Sequence, residues 1–385
     1  MSEIRVNNLS NESSTGGPTI SGITTFSGTN FFVPPVGNTA QRPQDPQKGA
    51  IRFNTDTAHL EYYKGDTIGW SEVEASNDEL GGLAGGGTES NAGLGARGLM
   101  VNGGVIGAYV NEIKYITIST LGADTDFGDS TYSGQFASCG VGSRTRGVWT
   151  GGYTPAGRVN IINYVTFATT GDAVDFGDTT QHREGAGGGS NGTRGVFSGG
   201  WVNPTATNII DYITIASTGN AKDFGDLVAA DNASTAVSST TRMVIRAGND
   251  NILEYLTIST TGNTQDFGDL TQNNDNSSGT VFNATRGCFG GGNPTVTNVI
   301  QYITIATLGN GVDFGDTTAS QRSVPGVSSP TRGVFMGGQS PSSPNPQLAN
   351  MDYIEIMTTG NAKDFGDLAT ARTSGGSTSN AHGGL

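Results

Sequence analysis

Charge is what this chain has little of. Asp, Glu, Lys and Arg make up 14% of its 385 residues, against about 25% in an average soluble protein. That excludes a charge-rich disordered segment. The charge present is acidic, with a net value of −14 and no Lys/Arg run anywhere. A nucleic-acid backbone needs basic patches, so no nucleic acid is expected as partner. No apolar run approaches the roughly 18 residues of a membrane-spanning helix, so no membrane insertion is expected. The first residues, MSEIRVNNLSNESS, lack the apolar core of a signal peptide. Cysteine is nearly absent. Cys139 and Cys288 are read as free small hydrophobes rather than a disulfide. The three histidines, His59, His182 and His382, fall in unrelated segments. They offer little material for a metal site or a Ser-His-Asp triad, and no cofactor is expected.

What the chain does have is glycine, 61 residues, about twice the usual share. It also has a repeat. Asp-Phe-Gly-Asp occurs at 126–129, 175–178, 223–226, 266–269, 313–316 and 364–367, with starts 49, 48, 43, 47 and 51 residues apart. Each copy carries the same grammar. In the copy that begins at Asn191, an apolar run ends in Gly-Gly at 199–200 and the loop WVNPTAT follows. NIIDYITIAS at 208–217 then alternates, with Ile213 and Ile215 on one side and Tyr212 and Thr214 on the other. A turn at Thr218-Gly219-Asn220 leads into AKDFGDL, and a stretch of small residues runs to the next Thr-Arg. Strand signals separated by turn signals, without helical periodicity, predict an all-β chain. Four strands at a period of 40–50 residues is propeller spacing, so the expectation is a six-bladed β-propeller over residues 80–385.

The repeat reads as scaffold. Each DFGD phenylalanine is expected to pack between blades, the glycine to allow close backbone approach, and the aspartates to fix turns through side-chain hydrogen bonds. A kinase reading of Asp-Phe-Gly fails, because a kinase carries one such string beside a Gly-rich loop and a strand lysine. Arg97, Arg146, Arg194, Arg242, Arg286 and Arg332 each begin an apolar strand. They are expected to pair with DFGD aspartates; the alternative is a ring of arginines forming an anion site. A turn at Asn249, Asp250 and Asn251 supplies oxygens for calcium, but no EF-hand spacing accompanies it. The ring is expected to close through the tail after the last DFGD, which would complete the blade begun by residues 96–129. The rival closing strand is GGLAGGGTESNAG at 81–93.

The unit resembles a kelch-type blade of the galactose-oxidase-like propellers. The resemblance is carried by the strand ending in Gly-Gly, tyrosines such as Tyr164 and Tyr302, aromatic residues Phe176 and Phe314 where kelch has Trp, and Arg183, Arg322 and Arg372. Ahead of the repeats, residues 1–48 are polar and proline-punctuated and read as an extended arm. Residues 49–79 read as a small β-meander. Its string Gly49, Ile51, Arg52, Phe53, Asn54, Thr55, Asp56, Thr57, with Tyr62, Tyr63 and Trp70, resembles a module of phage tail-fibre and virion appendage proteins. The DFGD repeats are similar to those in structural proteins of marine cyanophages. The resemblance implies a virion protein that docks on the particle through residues 1–75 and forms homo-oligomers there. Ile51, Arg52, Phe53, Tyr62, Tyr63 and Trp70 would be the docking residues, with other virion proteins as partners.

Function, on this reading, lies where the copies disagree: the loops at 152–160, 201–207 and 337–350. Tyr153, Arg158, Trp201, Asn203, Gln339 and Asn345 are the candidate ligand-binding residues, with a host-surface glycan as candidate ligand. Trp149 is expected in the core. The expected function is a non-enzymatic tail fibre or appendage whose propeller binds the host. The alternatives are a capsid or tail decoration protein that makes only subunit contacts, and a carbohydrate-active enzyme. The last would need an acidic pair in a cleft.

Overall fold

The computed structural model describes residues 34–56, 59–67, 69–72, 96–106, 108–134, 140–247, 251–272, 279–292, 297–342, 346–382 and 385. Most of the expected arm (1–33), the rival closing strand at 81–93, Cys139, the Asn249–Asp250 turn and Asn345 lie outside the described residues. The chain is all-β, and divides into two units, Met1–Ser76 and Asn77–Leu385.

The second unit contains six four-stranded sheets, each antiparallel throughout. Sheet II runs from Val141–Gly142 through Arg146–Thr150 and Ile161–Thr166 to Val174–Asp178. Sheet III comprises Gly187–Ser190, Arg194–Ser198, Thr207–Thr214 and Lys222–Asp231; sheet IV comprises Thr235–Ser238, Arg242–Arg246, Ile252–Thr257 and Gln265–Asp269. Sheet V comprises Gly279–Phe282, Arg286–Gly290, Thr297–Thr304 and Val312–Gln321; sheet VI comprises Gly326–Ser328, Arg332–Met336, Asn350–Glu355 and Lys363–Asp367. Sheet I is assembled from both ends of the repeat region. Its first strand is Gly376–Ser379, followed by Arg97–Val101, Glu112–Thr117 and Thr125–Asp129. The tail therefore completes this sheet, as the sequence suggested. In each other sheet, Ser or Asn in the first turn accepts from the strand arginine N–H, as Asn191 does from Arg194. In sheet I, Asn380 takes that place and accepts from Arg97 N–H at 2.8 Å.

The DFGD string is a β-bulge. In every sheet the third and fourth strands slip register at the same place, as where Ile210 pairs with Gly225 and Asp211 with Asp223. The phenylalanine is left without a register partner on the third strand, and the bulge turns it inward. All six phenylalanines are buried, each worth roughly 1.5–3 kcal/mol. Each sits edge-on to the tyrosine of its own third strand, with centroids 5.8–6.3 Å apart.

Neighbouring sheets meet at seams. Six apolar clusters each draw residues from two successive sheets, and one joins sheet VI to sheet I. At each seam the glycine of the 3–4 turn donates its N–H to the DFGD phenylalanine carbonyl of the preceding sheet, at 2.7–3.0 Å. That turn lies so close that a Cβ on Gly225 would fall 2.4 Å from Gly262 O. The DFGD glycine, at φ +146 in sheet III, is thus required both by conformation and by space.

The strand arginines do not pair with DFGD aspartates. Each lies over the tyrosine of its own sheet, 4.1–4.7 Å from the ring centroid. Each donates to a backbone carbonyl of the next sheet at 2.7–3.2 Å, ending with Arg332 on Ile118 O of sheet I. The guanidinium thus ties one sheet to the next. The carboxylates stay on the outer strand, where most are exposed.

The first unit is a four-stranded sheet: Val36–Gly37 parallel to Ile51–Asn54, then His59–Tyr63 and Trp70–Glu72 antiparallel. Its two faces are inverted in polarity. Arg52, Asn54 and Glu61 share the covered face and are buried. Glu61 accepts from Arg42 and Asn54 and pairs with Arg52 at 3.4 Å. The Arg42 bonds hold its carboxyl below the usual carboxylate range, although burial opposes them. Tyr63 and Trp70 pack on the same side, with centroids 5.4 Å apart. Val36, Ile51, Phe53, Leu60 and Tyr62 occupy the other face.

Candidate functional site

The repeat fixes where its own variation falls. The 2–3 connection of every sheet follows a Gly-Gly pair or its counterpart. The first member adopts a left-handed conformation at Asn102, Gly151, Gly199, Gly291 and Gly337, with φ 58–71. The second donates its N–H to the connection leaving its own sheet, as Gly152 does to Arg183 O and Gly338 to Arg372 O. The chain is thereby turned out at a fixed angle, and the next residue is free to differ. It is Gly104, Tyr153, Trp201, Asn249, Asn293 and Gln339 in the six copies. Asn249 and Asn293 lie outside the described residues; in each sheet the 2–3 and 4–1 connections leave from the same end.

Three candidate residues come together there. Tyr153 and Arg158 pair across the hairpin of Tyr153–Thr154 and Gly157–Arg158, with the guanidinium 5.4 Å from the ring centroid. Arg158 also donates to Glu184 at 2.6 Å. Glu184 exchanges backbone hydrogen bonds with Trp201. Tyr109, from the hairpin of sheet I, meets Tyr153 edge-on at 6.2 Å. A continuous ledge thus runs over sheets I, II and III: Tyr109, Tyr153, Arg158, Glu184, Trp201. Tyr153 and Trp201 are half-buried, and Asn203 is exposed beyond Trp201. Gln339 lies apart in sheet VI, where it accepts from Arg322 at 2.9 Å. Tyr109 and Glu184 escaped the sequence reading. Tyr109 lies in a loop too short to stand out, and Glu184 sits in the 4–1 connection rather than the variable loop. Trp149 is fully buried in the cluster between sheets I and II, as expected.

Arg183 and Arg372 act as clips from one sheet to the next. Arg183 donates to Gly199 O and Ile209 O and pairs with buried Asp211. Arg372 reaches Glu112 of sheet I. Burial would raise the Glu112 carboxyl, but Arg372 and Lys114 outweigh it and its pKa is lowered.

A cavity is lined by residues in or beside the first strands of all six sheets, among them Gly140, Gly188, Ala236, Thr280, Gly326 and Thr378. Its volume of about 20 Å³ holds little more than one water, whereas small-molecule sites run to several hundred Å³. His382 closes it. The ring lies 5.6 Å from Phe282, and Nε2 is 3.2 Å from Ser190 Oγ and 3.3 Å from Gly142 O. Burial pushes its pKa down to about 4, so the ring is neutral at ordinary pH. Burial also pushes the Cys288 thiol up, keeping it protonated and unreactive.

Among the predicted docking residues, Arg52 and Tyr63 are buried and hold their own sheet together. Ile51 is exposed; Phe53, Tyr62 and Trp70 are half-buried. Among the described residues no cluster of His, Cys, Asp or Glu could hold a metal ion. No protein-family model and no curated protein matches the chain.

Proposed function

We propose that the second unit is a six-bladed β-propeller and that the chain is a non-enzymatic phage virion protein, an appendage or tail fibre. The N-terminal part docks on the particle, and the propeller projects to bind a host-surface glycan. The propeller reading draws on the seam bonds, which pass from each sheet to the next and from sheet VI to sheet I. It also draws on the small cavity shared by all six first strands. The virion reading draws on the resemblance of residues 49–70 to appendage modules.

One observation carries the binding reading: beyond the Gly-Gly turns at 151–152 and 199–200, Tyr153, Arg158 and Trp201 are brought together with Tyr109 and Glu184. The Tyr109–Trp201 ledge offers aromatic rings and hydrogen-bonding groups suited to a sugar. Glycan-array and whole-cell binding of the full chain tests this. Binding is expected, and Trp201→Ala is expected to weaken it at least tenfold. A folded protein that binds neither glycans nor host cells would refute the host-binding role. The second reading, a decoration protein that makes only subunit contacts, gains weight from the exposed apolar face of the first unit. Electron microscopy of intact particles with the chain labelled separates the two by which part points outward.

A further inference from the structure

Of the five side chains that form the ledge, Arg158 and Glu184 carry the charge, and they are paired with each other. Arg158 Nη2 donates to Glu184 Oε1 at 2.6 Å, with the two side chains only 18% and 16% exposed. A guanidinium grips a carboxylate or a phosphate best through two parallel N–H groups. Arg158 has two such forks, Nε with Nη2 and Nη1 with Nη2. Both include the Nη2 that Glu184 holds. Nε is also buried, and the guanidinium lies over the Tyr153 ring, 5.4 Å from its centroid. A ligand therefore meets Nη1 as donor and the Glu184 carboxylate as acceptor, side by side, rather than an open anion fork.

That arrangement suits an uncharged sugar and opposes a charged one. A hydroxyl both donates and accepts, so neighbouring hydroxyls of a pyranose match a donor beside an acceptor. A carboxylate or phosphate on the ligand has two courses. It displaces Glu184 and leaves that carboxylate without its partner, or it lies beside Glu184 as a like charge; each is unfavourable. The field of a chain carrying −14 adds to the penalty. We propose that Glu184 sets the ligand class of the ledge: by occupying Arg158 it admits uncharged pyranosides and turns away uronic acids and phosphorylated sugars. The proposal rests on the reading of the ledge as a glycan site, and it makes Glu184 the residue that determines specificity there.

Binding of the full chain to a panel of neutral hexosides, and to the uronates and sugar phosphates that match them, reads the outcome directly. The parent is expected to prefer the neutral member of each set by about tenfold, the worth of one charged hydrogen bond. Glu184→Gln keeps the side chain's size and frees the guanidinium. It is expected to erase that preference by gaining uronate and phosphate binding, and the gain should shrink as salt is raised. Adding Arg158→Gln to Glu184→Gln should abolish the gain. Glu355→Gln removes the same charge from a pair with Arg332 in sheet VI, at 3.1 Å, and is expected to leave the preference unchanged; far-UV circular dichroism checks that each variant is folded. A parent that binds acidic sugars as tightly as neutral ones overturns the proposal and leaves the glycan reading standing. So does a folded Glu184→Gln chain with the parent's preference. A parent that binds no member of the panel defeats both.

Discussion

Five seams join sheets that follow one another along the chain, and the sixth joins the two ends of the repeat region. At four of the five, a polar residue before the third-strand tyrosine accepts a hydrogen bond from a threonine after the preceding DFGD. These pairs are Asn163 with Thr131, Asp211 with Thr180, Gln301 with Thr271 and Asp352 with Thr318. At the seam of sheets III and IV the threonine is replaced by Val228. Glu254 then accepts from the Val228 N–H and takes a hydroxyl from its own sheet, Thr264. At the sixth seam neither partner is present. Lys114 accepts nothing, and Ala369 has no hydroxyl. Asp124, ten residues beyond Lys114, accepts from the Ala369 N–H instead. The lysine turns to Asp126 at 2.9 Å. The joint tolerates loss of its usual pair when an acceptor is supplied from nearby. At five of the six seams a side-chain oxygen of the next sheet accepts the backbone N–H at this position, from Thr180, Val228, Thr271, Thr318 and Ala369, which satisfies a donor between sheets.

The largest expected effect comes from removing what only the sixth seam needs. Deleting residues 376–385 strips sheet I of its first strand and the VI–I cluster of Ala381. Calorimetry should then show loss of the single cooperative transition; a deletion variant with the parent's transition would mean the tail is dispensable. Next is Asp211→Asn, which leaves buried Arg183 without its counter-ion. Chemical denaturation is expected to show a loss of about 3–5 kcal/mol.

Smaller effects probe the turn that crosses the chain ends. Asn380→Ala and Asn191→Ala each remove one side-chain acceptor from an arginine N–H, a change worth about 1 kcal/mol. The Asn380 variant is expected to lose more, because no continuous backbone holds its turn; equal losses would show that the ends behave as a joined loop. The smallest effect, and one of opposite sign, is at Asp352. It is buried like Asp211, but its described partners are Thr318 and Asn350 and include no arginine. Burial raises its pKa, with the Thr318 bonds opposing. A raised folded value means stability is fully present below the unfolded pKa, about 3.9, and declines as pH rises through the folded one. Asp352→Asn should therefore stabilise by under about 1 kcal/mol at neutral pH, with the gain vanishing in acid. Thermal midpoints at pH 3.5 and 7 check it, and a loss at pH 7 would show the carboxylate is needed.

The all-β class, the strands and the pairing of the tail with Arg97–Val101 were legible because each rests on local pattern: a fixed period, alternation and Gly-rich turns. The arginine partners were not. Spacing in sequence does not say whether a guanidinium meets a carboxylate on its own sheet or a carbonyl on the next, and the bulge at DFGD decides that by turning Phe inward. The ligand ledge was half legible. Variation after Gly-Gly singled out Tyr153 and Trp201, while Glu184 joins them only through a neighbouring sheet. The inverted N-terminal sheet was hidden for a different reason. IRFN and HLEYY alternate as any half-buried strands do, and alternation does not reveal which side is covered.

The bond between Asn380 and Arg97 spans 283 positions of sequence. A ribosome adds roughly 5–20 residues per second, so Arg97–Val101 waits about 14–57 seconds after its synthesis for the strand that pairs with it. During that interval sheet I offers Leu99, Met100 and Val101 along an unpartnered edge. Cellular yield should therefore depend on translation speed and on chaperones that shield this one strand, more than on the stability of the finished fold.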